Sequence, residues 1–195
     1  VANDSGGGIA QIFAANHPER IESLVLTNCD VHDMWPPEAI KPTKQAIAEL
    51  GFAAIAAGLA EDVDAAREVF AVGFEDVGAL SPDEFKAYLR PLVASPSRAE
   101  LMTRFFASMN PADTVAAQDG LGKLTAPTLI AWGTGDVFFG LDCAQWLEGT
   151  IPGAGPVVQI PGAKLFFPRE RPDEFVALLH RHWNGAASIP SAARV

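Results

Sequence analysis

The stretch Val1-Ala2-Asn3-Asp4-Ser5-Gly6-Gly7-Gly8 reads as the end of a strand, a polar tip and a glycine-rich lead into a helix. From Ile9 the apolar residues Ile9, Ile12 and Phe13 share a helical face, and Pro18, which has no N–H to give, ends the helix near Asn16. Glu22 to Asn28 follows as a short, apolar, β-branched run of the kind buried in a parallel sheet. A side chain presented on a sharp strand-to-helix turn needs small residues two places before and two after it, because a Cβ there meets the neighbouring element. Centred on Asp4, those places are Ala2 and Gly6, with Gly7 following; centred on Ser5, they are Asn3 and Gly7. Asn3 is a poor substitute for a small residue, so Asp4 is the favoured nucleophile position and Ser5 the alternative.

Beyond the second strand the texture changes. Helical patterns follow one another from residue 31 to 122: Lys44–Ala60, Asp62–Phe74, a helix opening at Ser81, Ser97–Met109, and a short one over Pro111–Gln118. Ser81-Pro82-Asp83-Glu84 has the form of a capping box with Pro in the first turn. Leu50 in the first helix and Leu101 in the fourth are read as core-facing. Strand patterns return at 126–132, ahead of Gly133-Thr-Gly-Asp136, and again at 155–160; Gly162–Glu170 reads as a loop. A last helix runs from Arg171-Pro172 to about Trp183. The expected division is core at 1–30, an inserted helical cap at 31–122, core again at 123–184 and a flexible tail at 185–195.

With 195 residues, 49% of them hydrophobic and 19% charged, the chain can bury a substantial core. A net charge of −10 with no basic stripe excludes a phosphate-neutralising surface, so no nucleic-acid partner is expected. No apolar run reaches the ~18 residues of a membrane span. The acidic composition suggests a soluble protein, and a cytoplasmic one is expected. The first residues read as the middle of a fold, so their lack of a leader pattern says little. Cys29 and Cys143 are too few for a disulfide scaffold and are read as buried thiols. No metal-ligand spacing occurs, and neither a metal nor a cofactor is expected.

The order of these motifs, from Ala2-Asn-Asp-Ser-Gly-Gly7 through Leu24-Val-Leu-Thr-Asn28 to Trp132-Gly-Thr-Gly-Asp136, resembles the C-terminal part of an α/β hydrolase. The closest likeness is to the branch with haloalkane and haloacetate dehalogenases and epoxide hydrolases, whose nucleophile is an aspartate. The implied architecture is a parallel half-sheet of about four strands, starting at the nucleophile elbow with an open edge, with flanking helices and a helical cap. The resemblance implies that Asp4 attacks an electrophilic carbon of a small molecule to form an ester, and that the Ser5 N–H gives half of an oxyanion hole. It makes Asp136 the acid that orients a histidine, with Asp30 as an alternative; each also has a plainer reading as a turn or loop residue. Trp35, Phe105, Phe106, Phe138 and Phe139 are the expected substrate-pocket residues, although any one of them also suits a core.

Three departures qualify the resemblance. Where the family carries its catalytic histidine, Gly162-Ala-Lys-Leu-Phe-Phe-Pro-Arg-Glu-Arg-Pro172 has Leu165. Among the histidines, His17 reads as a helix-end cap, His180 as solvated, His182 as packed or half-exposed, and His32, after the second strand, as the one that could approach the site. The Trp that holds a halide beside the nucleophile is Ser5 here, and only Tyr88 is present where epoxide hydrolases use two tyrosines. Two further expectations therefore stay open: an esterase-like site on Ser5, and a small-ligand-binding protein of the same fold without turnover.

Overall fold

The computed structural model describes residues 1–187. Strand β1 (Ala2–Asp4) passes directly into helix α1 (Ser5–Asn16), and β2 (Leu24–Cys29) follows. Helices α2 (Lys41–Leu50), α3 (Phe52–Glu61), α4 (Val63–Phe70), α5 (Pro82–Leu89), α6 (Pro96–Ser108), α7 (Pro111–Ala116) and α8 (Gln118–Leu121) then succeed one another. The chain returns to the sheet with β3 (Thr128–Gly133), α9 (Leu141–Thr150) and β4 (Val158–Ile160), and continues into α10 (Phe167–Glu170) and α11 (Pro172–Ala187).

The four strands are parallel and lie in chain order, β1-β2-β3-β4. Every residue of β2 is buried, which is why its sequence is a continuous apolar run rather than an alternating one. Its side chains divide by the two-residue strand period. Leu24 and Leu26 join Ile130, Trp132 and Leu147 on the face covered by α1, α8 and α9. Val25 joins Ala131, Ile160, Phe167, Phe175 and Leu178 on the face covered by α10 and α11. This is the α/β half-sheet with flanking helices read from the sequence.

The segment between β2 and β3 is helical throughout, with its own apolar clusters around Ile47, Phe52, Ala56 and Leu89 and around Phe74, Leu80 and Phe85. Ser81 caps α5 and Glu84 returns the bond: Ser81 N–H donates to Glu84 Oε2 at 2.8 Å, and Glu84 N–H to Ser81 Oγ at 3.3 Å. The helix expected over 44–60 is two helices. Gly51, at φ 78°, ends α2 and starts α3 in a conformation that disfavours any other residue. Leu50, at that break, is 66% exposed. Leu101 is 58% exposed, because α6 turns Met102 and Phe106 toward α3 instead. Part of the expected 162–170 loop is helix α10, with Pro168 in its first turn. Helix α11 runs past Trp183 to Ala187, and most of the expected tail lies outside the described residues.

The loop after β4 ties this helical segment to the sheet. Phe166 N–H donates to Gly73 O at 3.1 Å, Lys164 Nζ to Ala71 O at 3.1 Å, and Glu170 accepts from the N–H groups of Glu75 and Asp76 at 2.9 and 2.8 Å. Arg171 pairs with Glu75, and the Phe166 ring lies 4.7 Å from that of Phe74. Among the described residues no helix is long and apolar enough to cross a membrane.

Candidate active site

Three consecutive parallel strands deliver an aspartate at or just beyond their carboxyl ends: Asp4 from β1, Asp30 from β2 and Asp136 from β3. In open parallel sheets that edge is where ligands bind. Asp4 has φ 55° and ψ −139°, a region that L-residues rarely adopt and that stores backbone strain. The turn lifts its side chain out of the sheet while Ser5 becomes the first residue of α1. Gly7 makes the turn possible, because a Cβ there would overlap the Cβ of Cys29. Gly6 faces open space, so the smallness expected of it answers to no contact among the described residues.

Three amides, Asn28 and Gln11 buried and Asn3 half-buried, hold the strand ends in place. Asn3 Nδ2 donates to Thr27 Oγ1 (2.9 Å), Asn28 O (3.3 Å) and Leu165 O (3.0 Å), joining three segments at one point. Asn28 closes a two-bond ring with the Gly133 backbone, at 3.0 and 2.7 Å. Gln11 reaches from α1 to Gly7 O and Asp30 O, at 3.0 and 2.8 Å. None of the three was singled out as a site residue from the sequence. The available signal was an amide inside an apolar run, which buries only when it is bonded.

Asp4, Ser5 and Asp30 form part of the floor of a cavity of about 310 Å³. Its walls are apolar: Val69, Phe70 and Val72 from and just after α4, Met102, Phe105 and Phe106 from α6, and Phe138, Leu165 and Phe166 from the sheet side. Of the five expected pocket aromatics, Phe105, Phe106 and Phe138 border this cavity. Trp35 lines a neighbouring depression, and Phe139 is buried in the main core beside Trp132, whose Nε1 donates to Phe139 O at 3.0 Å. Trp35 follows β2 and Phe139 follows β3, and neither borders the cavity over Asp4.

Burial pushes the Asp4 carboxyl up to about 6; the Ser5 N–H opposes this and the Asp136 charge adds to it. Asp30 is 1% exposed, and neither of its oxygens has a hydrogen-bond partner. Burial, followed by the charge of Asp4, pushes it up to about 7, with the Ser5 hydroxyl opposing. Asp136 is also raised by burial, against the backbone N–H groups that follow it; its Oδ1 accepts from Phe138 N–H at 2.8 Å, and its Oδ2 is buried without a partner. It does not line the cavity. Cys29 and Cys143 are free and buried, and burial pushes both thiols up, Cys143 to about 12.

Among the described residues no histidine borders the cavity. His32 is engaged elsewhere, with Asp33 at 3.1 Å, Gln118 at 3.0 Å and the ring of Trp146 at 4.6 Å. His182 shares a hydrogen bond of 3.1 Å with Ser23, before the amino end of β2. Leu165 is 4% exposed and forms part of the cavity wall. Among the described residues no group of three or more His, Cys, Asp or Glu side chains is placed to hold a metal.

No protein-family profile matches the chain. Over 159 residues it is 27% identical to a 2-hydroxy-6-oxononadienedioate/2-hydroxy-6-oxononatrienedioate hydrolase of Cupriavidus pinatubonensis, covering 79% of this chain and 51% of that one. Over 158 residues it is 28% identical to monoacylglycerol lipase abhd6-A of Xenopus laevis, covering 78% and 45%. The chain thus spans about half the length of the curated relatives it matches. Among solved structures, a meta-cleavage product hydrolase from Pseudomonas fluorescens superposes with a TM-score of 0.71 at 17% identity, covering 95% of this chain and 64% of that one. A haloalkane dehalogenase from Bradyrhizobium elkani gives 0.72 at 18%, covering 96% and 67%. The fold is that of the α/β hydrolases, and the curated relatives it matches are named as a hydrolase and a lipase.

Proposed function

We propose that the chain carries the aspartyl site of an α/β hydrolase that acts on a small, neutral, apolar electrophile: an alkyl halide, an epoxide or an ester. The observation that carries this reading is the placement of Asp4, at positive φ on the strand-to-helix turn and on the floor of an apolar cavity. An aspartate is ionised without help from a base and attacks carbon directly, giving an ester on Asp4. Ser5, already the first residue of α1, contributes its N–H toward a developing oxyanion rather than its hydroxyl as nucleophile. Asp136 is the acid of this site and Asp30 its neighbour. Residues 31–122 are the cap over the core segments 1–30 and 123–184.

Charge narrows the substrate. The ionisable side chains that line the cavity among the described residues are both carboxylates, Asp4 and Asp30. A dioate, as in the name of the Cupriavidus relative, would bring two more negative charges against them, and like charges in a desolvated site repel strongly. Small neutral molecules meet no such barrier. Intact-mass measurement after exposure to bromobutane, styrene oxide or p-nitrophenyl acetate tests the reading. One alkyl group gained per chain from either of the first two, or release of the corresponding alcohol or diol, is the expected outcome, and neither adduct nor product from any of the three contradicts it. A second reading, ligand binding without turnover, is favoured by Leu165 alone; it predicts bound but unreacted probe.

A further inference from the structure

We propose that Asp30 is the general base of this site, taking the proton from the water that hydrolyses the Asp4 ester. The inference rests on Asp4 as nucleophile and supplies the step for which position 165 offers no histidine.

The case begins with satisfaction. A buried carboxylate normally collects hydrogen bonds from its surroundings. Neither oxygen of Asp30 makes one of ordinary geometry, the Ser5 hydroxyl being the one donor among the described side chains that acts on it, while the residue borders the cavity. Its backbone is fixed: the N–H donates to Asp4 O at 3.4 Å, and the carbonyl accepts from Gln11 at 2.8 Å. Gly8 packs against its Cβ, with room for nothing larger without displacement. The partner that the side chain lacks in the protein is thus left to an occupant of the cavity. Asp30 stands one strand from Asp4, and neighbouring strands are about 4.8 Å apart, so a water poised over the Asp4 carbonyl carbon lies within reach of both. Of the other described side chains on the cavity wall, only Ser5 can exchange a proton, and a hydroxyl is not a base at neutral pH.

The chemistry balances with water as the only co-reactant. The water oxygen bonds to Cγ of the esterified Asp4 while one of its protons passes to the Asp30 carboxylate. The bond from Cγ to the alkoxy oxygen then breaks, and the departing alkoxide takes the proton back from Asp30, leaving an alcohol, a carboxylate at Asp30 and a regenerated acid at Asp4. Timing follows from electrostatics. In the resting site burial and, second to it, the charge of Asp4 hold Asp30 toward its protonated form. Esterification removes the Asp4 contribution and so shifts Asp30 toward the ionised form at the step that needs a base.

The test uses the full chain with bromobutane as probe, comparing the native protein with Asp30→Asn. Bromide release, butanol release and the ester on Asp4 are followed together. The native protein is expected to release more than one bromide per chain, while Asp30→Asn stops after one and keeps its butyl ester, hydrolysing it at least ~100-fold more slowly. The single burst in the variant also reports that its site is folded. Partial recovery in Asp30→Glu supports the assignment. Ester hydrolysis at the native rate in Asp30→Asn overturns it, as does an ester that persists equally in both proteins; in either case Asp4 stands as nucleophile. No ester on Asp4 in either protein overturns the aspartyl reading, and the base falls with it.

Discussion

Asp4 and Asp30 hold their protons in the folded protein to about pH 6 and 7, whereas in the unfolded chain both ionise near their ordinary value of about 4. Between those limits the folded state binds more protons, so stability falls as pH rises through the window and levels off above about 7. Asp30→Asn removes the larger part of this slope. Chemical denaturation is expected to find the variant close to native at pH 4 and about 2–4 kcal/mol more stable at pH 8; a pH-independent difference contradicts the buried charge. The two glycines beside the elbow separate just as cleanly. Gly7→Ala strikes Cys29 and is expected to cost about 2–3 kcal/mol, while Gly6→Ala, in open space on a helix, stays within about 1 kcal/mol of native on the stabilising side. The sequence carried the elbow because a pattern of small residues reports a turn that only they can make. It did not separate Gly6 from Gly7, since which one meets β2 depends on the pitch of α1 against that strand.

At the scale of elements, the loop after β4 has become a fastening. Position 165 is filled by a leucine in the cavity wall, and the residues after it clip the segment around Gly73–Asp76 to the sheet through backbone hydrogen bonds and the Arg171–Glu75 pair. Glu170→Ala frees the Glu75 and Asp76 N–H groups and is expected to lower their hydrogen-exchange protection by about 1 kcal/mol or more, with amides of β2 and β3 unchanged. Uniform loss across the sheet would mean that Glu170 supports the whole fold instead. Helix starts were legible because Ser81 and Glu84 announce a cap within four residues of each other. The break at Gly51 was not, because a glycine inside an Ala-rich run fits both a continuous helix and a left-handed end. The outward turn of Leu101 depends on where α3 lies, which no local pattern encodes.

For the molecule as a whole, the cavity arises where two sequence-distant parts meet: the carboxyl ends of the strands below, α4 and α6 above. That is why the floor could be read from motifs and most of the walls could not. Val69, Phe70 and Met102 carry no mark that distinguishes cavity from core, and Trp35 and Phe139 show the same ambiguity from the other side. A carboxylate floor under apolar walls predicts discrimination by charge: bromobutane should alkylate the protein at least ~10-fold faster than bromoacetate at low ionic strength, a difference of about 1.4 kcal/mol. Equal rates would place the reacting residue outside this cavity. The elbow itself is tested most directly by locating the butyl group. Peptide mapping by mass spectrometry after bromobutane treatment of Asp30→Asn, which keeps its ester, should find it on Asp4 and lose it when Asp4→Asn is added; a label on Ser5, or one that survives Asp4→Asn, contradicts the aspartyl site.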